Sequence, residues 1–78
     1  MPLGLKIYEL VNKFARKLAM RGKEGIMQIP SQEVVRDLSN EILTKFMKHN
    51  VSKATIKSEN DVKSIYNQII ARERQGKK

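Results

Sequence analysis

Apolar residues recur from Leu5 onward at helical intervals: Ile7, Val11, Phe14 and Leu18 are separated by four, three and four positions, which is one face of an amphipathic α-helix. Leu10, Ala15 and Ala19 widen the stripe, and the pattern predicts a helix over residues 5–21. Pro2 and Gly4 mark a loose start. The stretch Gly22–Gly25 supplies an end, because glycine takes the left-handed geometry common just past a helix C-terminus. Ile26-Met27-Gln28-Ile29-Pro30 is short and β-prone. Pro30 disfavours helix at Ile29 and leaves Ser31 to cap a second helix over 31–49. Its stripe is Val35, Leu38, Ile42 and Phe46, broadened by Val34, Leu43 and Met47. Arg36, Asp37, Glu41, Lys45 and Lys48 take the polar side, with Glu41 and Lys45 at a favourable i, i+4 spacing. His49-Asn50 reads as the end. After a second joint, Val51–Lys57, Ser58 opens a third helix over 58–73. Asp61 stands where a capping box places its acid, and Glu59 adds negative charge to the first turn. Val62, Ile65, Tyr66, Ile69 and Ile70 form its stripe, and residues 74–78 read as a flexible basic tail. The joints echo one another in Ile29-Pro30-Ser31 and Ile56-Lys57-Ser58; pairing of the two as a minimal β-bridge, within a chain or between copies, fits that echo.

The pattern is that of an all-α, three-helix domain filling a chain of 78 residues. A domain of this size buries only about 60% of its unfolded surface, and with no cysteine neither a disulfide nor a thiolate metal site adds stability. Association is a common remedy, so a homodimer is expected. The missing cysteines fit a reducing compartment. No apolar run approaches the roughly 20 residues that cross a bilayer, and Lys6, Glu9, Asn12 and Lys13 interrupt any signal-peptide core. The expectation is a cytoplasmic or otherwise intracellular protein without a membrane partner.

Charge narrows the partner. Sixteen Lys+Arg against eight Asp+Glu give a formal net charge of +8. Residues 1–23 hold six bases and Glu9 alone, and residues 71–78 hold four bases and Glu73 alone, while the middle is balanced. Basic ends around a neutral core point to a polyanion, most often a nucleic acid. Lys6, Lys13 and Lys17 lie on one side of the first helix, with Arg16 beside them, away from the apolar stripe. Such a cluster can track phosphates, and Arg72 and Arg74 carry the same capacity at the other end. Of the four aromatic residues, Phe14, Phe46 and Tyr66 fall on apolar stripes, leaving Tyr8. Single-strand and RNA-loop binders expose several aromatics for stacking, so double-stranded DNA is the preferred partner.

Catalytic chemistry is sparse. The sequence has no HExxH, P-loop, Gly-rich dinucleotide turn or nucleophile elbow. His49, the one histidine, sits at a predicted helix end and reads as a C-terminal cation; Asp37 and Glu41 read as solvated neighbours. The chain reads as no enzyme, with no cofactor, metal or small-molecule substrate.

Residues 50–62 admit three readings. Asn50-Val51-Ser52-Lys53-Ala54-Thr55-Ile56 resembles the turn and early recognition helix of bacterial helix-turn-helix repressors. That resemblance implies Ser52, Lys53 and Thr55 facing DNA, with Val51 and Ile56 packed inward. Lys53-Ala54-Thr55-Ile56-Lys57-Ser58-Glu59-Asn60-Asp61-Val62 resembles the last loop and helix start of archaeal histones, which implies phosphate contacts from Lys53, Thr55 and Lys57. The third reading is a plain connector leading into a capped helix. In function, the sequence points to a small regulatory or architectural DNA-binding protein. The alternative is a helical adaptor without a nucleic-acid role, docking a partner helix through Leu10, Leu43 and Met47.

Overall fold

The computed structural model describes residues 4–20 and 29–76. Three helices carry the fold: α1 (Gly4–Ala19), α2 (Gln32–Lys48) and α3 (Glu59–Gly76), with one 3-10 turn, Lys53–Thr55, between α2 and α3. The Gly22–Gly25 helix stop and the Ile26–Gln28 part of the first joint lie outside the described residues. Among the described residues there is no strand. In the second joint the backbone is closed instead by the 3-10 turn, in which Thr55 and Ile56 donate to the carbonyls of Ser52 and Lys53 at 3.1 Å each.

The all-α domain rests on the stripes read from the sequence. Ile7, Val11, Phe14 and Ala15 from α1, Val35, Ile42, Leu43 and Phe46 from α2, and Val62 and Ile69 from α3 form one core with Ile56. α1 packs against both partners and most extensively against α2. Lys17, near its C-terminus, pairs with Glu59 at the start of α3, and further in Phe14 meets Tyr66 edge-on with ring centroids 5.4 Å apart. These two contacts fix α1 and α3 as antiparallel neighbours. Ser39 is the one buried polar side chain among the described residues. Its Oγ donates to Val35 O at 2.7 Å and accepts from Asn12 Nδ2 at 3.3 Å, so the hydroxyl enters the α1–α2 contact with its hydrogen bonding satisfied.

Two expectations need correction here. Leu43 is 4% exposed and Leu10 packs on the core, so of the three proposed docking positions Met47 alone is exposed. Leu43 sits one residue from Ile42 and belongs to the same core cluster, and a helix with two packed neighbours buries a wider arc than one with a single neighbour. Residues 74–76 are helical and not a flexible tail: Ala71, Arg72, Glu73, Arg74 and Gln75 are all good helix formers apart from context, and Glu73 is tied to α2 by Lys45 at 2.8 Å.

The helix ends follow local chemistry. Ser31 caps α2 by accepting from the Val34 N–H at 3.2 Å. At α3, Asp61 Oδ2 accepts from the backbone N–H groups of Lys57 and Ser58 at 2.9 and 3.1 Å, while Ser58 Oγ accepts from Asp61 N–H at 3.4 Å. That is the reciprocal capping box, with Asp in the acid's place. At the other end of α2, Val51 N–H reaches Phe46 O at 2.9 Å and Asn50 N–H reaches Met47 O at 3.1 Å. This Schellman closure requires Asn50 at φ 56°, the left-handed region that asparagine tolerates and most residues resist. Asn50→Ala is therefore expected to lower stability by about 1 kcal/mol, read as a melting-temperature drop of roughly 4–8 °C by circular dichroism, while Asn50→Gly holds or raises it. Leu43→Asp, which drives a carboxylate into the core, is expected to abolish the cooperative transition altogether.

Candidate nucleic-acid interface

All ten side chains expected to contact nucleic acid are exposed, but the fold distributes them over different surfaces. Lys6, Lys13 and Lys17 are spaced i, i+7, i+11 along α1, which keeps them on one side of a 3.6-residue helix. Lys17 Nζ lies 2.7 Å from Glu59 Oε2, so this side of α1 is the flank that adjoins α3. Counting along α3 from Glu59, Lys63 and Arg74 fall at i+4 and i+15, on the same flank. Two helices thus contribute a shared basic strip: Lys6, Lys13 and Lys17 from α1, Lys63 and Arg74 from α3. The antiparallel register carries Lys6 toward the α3 end that holds Arg74, and Lys17 beside Lys63, with which it lines a small depression. Glu59 is the acid that α3 brings to the strip, and Glu9, one turn from both Lys6 and Lys13, borders it on α1. The Lys17 side chain is 69% exposed even when paired, so the pair is worth at most about 1 kcal/mol and leaves the lysine accessible.

Arg72 does not belong to this strip. Two residues apart on a helix, Arg72 and Arg74 point about 200° apart. Arg72 lines instead a groove of about 490 Å³ that also holds Ser52, Thr55, Ser64 and Gln68. Within that groove the Ser52 and Thr55 hydroxyls serve the backbone. Ser52 Oγ accepts from Ala54 N–H at 3.3 Å, and Thr55 Oγ1 donates to Ser52 O at 2.7 Å. Their place is therefore in closing the 3-10 turn and not on a recognition helix. That helix is absent: the turn ends at Ile56, which is extended with φ −104° and ψ 95°, and the capping box at Ser58 restarts the helical geometry. Val51 and Ile56 do pack inward, as half-buried and buried side chains. The histone-like reading keeps its exposed Lys53, Thr55 and Lys57 and its acidic cap, but the three helices of 16, 17 and 18 residues lack the much longer central helix of that family. The connector reading describes these residues.

Lys63 was not legible as a site residue. Its sequence position shows only an exposed base near a helix start, and its neighbour Lys17 is supplied by another helix. The i+4 and i+15 spacing from Glu59 to Lys63 and Arg74 was visible; the ion pair that anchors that flank to α1 was not.

A second polar cluster ties α2 to α3. Glu73 Oε1 lies 2.8 Å from Lys45 Nζ, and its Oε2 lies 3.5 Å from His49 Nε2. The Nε2 atom is buried with no closer hydrogen-bond partner. The His49 ring thus faces Glu73 and does not simply cap the helix toward solvent. The hydrogen bond from Lys45, followed by the charges of Lys45 and His49, holds the Glu73 carboxyl below the ordinary carboxylate range against the opposing effect of partial burial. The same bond holds the Lys45 ammonium above its ordinary value. Among the described residues no group of three or more His, Cys, Asp or Glu side chains is placed to hold a metal ion, and no helix is long and apolar enough to cross a membrane.

A lowered carboxyl stabilises the fold above its unfolded pKa and ceases to do so as pH falls through the folded value; a raised ammonium stabilises below its unfolded pKa and ceases to do so as pH rises through the folded one. The stability difference between the parent protein and Glu73→Gln is therefore expected to be widest between about pH 5 and 10, and to narrow below about pH 4 and above about pH 10.5. Urea midpoints measured across that range check it, and a pH-independent difference contradicts the ion-pair account.

Comparison of the chain with protein families, curated proteins and solved structures finds no match in any of the three.

Proposed function

We propose that this protein binds double-stranded DNA through the phosphate backbone, with the α1–α3 strip as the contact surface, in a regulatory or architectural role. The observation that carries the reading is the alignment of Lys6, Lys13 and Lys17 beside Lys63 and Arg74 on adjoining helices of a chain whose net charge is +8. From Lys6 to Lys17 the helix rises about 16 Å, the length of four to five nucleotides at about 3.4 Å each. Four of the five bases are lysines, which meet phosphate as point charges and carry no base-edge code. Lys53 and Lys57 extend the positive field from the connector, next to the start of α3. The described surface offers few aromatic platforms, since Phe14 and Phe46 are buried and Tyr66 packs on the core, and that favours duplex over single strand. Eleven buried hydrophobic side chains among the described residues make a small core for a chain without disulfides, so two copies on the duplex is the expected stoichiometry.

A salt-series titration with a duplex of about 30 base pairs and a matched single strand tests the reading. The expected result is tight duplex binding whose affinity falls steeply with salt, at about 0.9 log units per log unit of salt for each phosphate neutralised. Lys13→Ala with Lys63→Ala should make that slope shallower by about 1.8, and sedimentation of the complex gives the copy number. Failure to bind either form at low salt overturns the proposal and turns attention to a protein partner.

A further inference from the structure

On the opposite flank of α1, away from the basic strip, a groove of about 570 Å³ runs between α1 and the first turns of α2. Tyr8, Asn12 and Arg16 line it from α1, and Gln32, Glu33 and Arg36 from α2. A shallower depression of about 440 Å³ continues along α1, adding Glu9 and Lys13 to the shared Tyr8, Asn12 and Arg16. Two guanidinium groups from different helices therefore open onto one cleft, with two amides and the Glu33 carboxylate beside them and Glu9 further along α1. Neither guanidinium is used up by the protein. The Arg36 contact to Asp37 is 4.0 Å between side chains 64% and 69% exposed, too long for a hydrogen bond. Arg16 has no ion pair with any described acid. The Asn12 amide is fixed in place by its bond to buried Ser39, and the Tyr8 ring, half-buried against the core, gives the groove one flat wall.

Guanidinium forks match tetrahedral oxyanions in geometry and charge, and a phenol ring offers a stacking face to a flat group. We propose that this groove binds a phosphate ester carrying a planar aromatic group, with Arg16 and Arg36 on the phosphate and Tyr8 against the ring. A nucleotide has that chemistry, whether free or as the end of a strand. The groove opens toward α2 and adjoins the α1–α3 strip at Lys13, but Arg16 and Arg36 lie outside that strip and the site does not depend on the duplex reading, so either can fail alone.

The full chain supplies its own reporter. It has two tyrosines and no tryptophan, so Tyr66→Phe leaves Tyr8 as the one strong fluorophore while keeping the ring that Phe14 meets. In that background, a nucleoside monophosphate, a 5′-phosphorylated trinucleotide and inorganic phosphate are titrated separately. The expected result is a saturable change in Tyr8 emission with the two nucleotides, weakened at least about tenfold by Arg36→Gln and by Arg16→Gln. Lys48→Gln removes the same charge about 18 Å further along α2, beyond the screening length, and should change binding by less than about twofold. Equal affinity for the two nucleotides assigns the groove to a free nucleotide, and tighter binding of the trinucleotide assigns it to a strand end; both sustain the proposal. No saturable change, or equal weakening by Lys48→Gln and Arg36→Gln, overturns it. If Tyr66→Phe proves unfolded by circular dichroism, phosphorus line broadening of the nucleotide decides between the same outcomes, with broadening expected on the parent protein and its loss on Arg36→Gln.

Discussion

The close seating of α1 between the other two helices is the constraint on which the remaining structure depends. Val11 and Ala15 have no exposed surface, and they are one turn apart on α1. The methyl group at position 15 leaves room for a close helix approach, and Val11 joins Phe46 and Ile42 in the same core. α2 and α3 touch each other less than either touches α1. Their mutual placement is then set mainly through α1, with the Lys45–Glu73–His49 cluster as a polar tie at the far side. A change that tilts α1 must therefore move both basic surfaces at once.

That arrangement also explains why charge ends up where it does. α1 buries a broad arc toward two neighbours, so its bases are confined to the arc that remains. Lys6, Lys13 and Lys17 take the flank toward α3, and Arg16 the flank toward α2. Glu59 is the acid that α3 brings to the seam, and at 27% side-chain exposure it is the better shielded partner of its pair. It moderates the repulsion among Lys17, Lys63 and Lys13 without cancelling the field, since Glu59 and the bordering Glu9 together face five positive charges along the strip.

Much of the fold was legible because it is written in local spacing. The stripes of α1 and α2, the Ser31 cap, and the Ser58–Asp61 box depend on residues within four positions of one another, and a chain read in order shows them. What could not be read depends on partners brought from elsewhere in the sequence. Leu43 reads as the edge of an amphipathic stripe in the sequence, and the assembled core buries it. Ser52 and Thr55 looked like base-contacting hydroxyls because a repressor turn and a 3-10 turn share the same small polar residues; the difference is whether the hydroxyls are spent on the backbone. Arg74 was placed in a tail because the terminal bases hid a run of helix formers whose anchor, Glu73, is held by a lysine 28 positions earlier. Arg36 carried no signal at all, as an arginine on a polar face gains meaning only when Arg16 stands across a groove from it.

A chain this small with a net charge of +8 works against its own compact state, since like charges are crowded by folding. A polyanion on the α1–α3 strip relieves that repulsion in the folded form, and by mass action any ligand that prefers the folded chain adds to its stability. The flattened body, 35 × 34 × 20 Å, leaves little interior to supply stability by burial alone. Under the proposed polyanion binding, folding and binding would be coupled through the same lysines: their charge would weaken the free fold and strengthen the bound one. That coupling would have a direction, because the core contacts of α1 must already be made for Lys6, Lys13 and Lys17 to share an edge with α3, so the proposed anion would meet a surface that exists only in the folded chain.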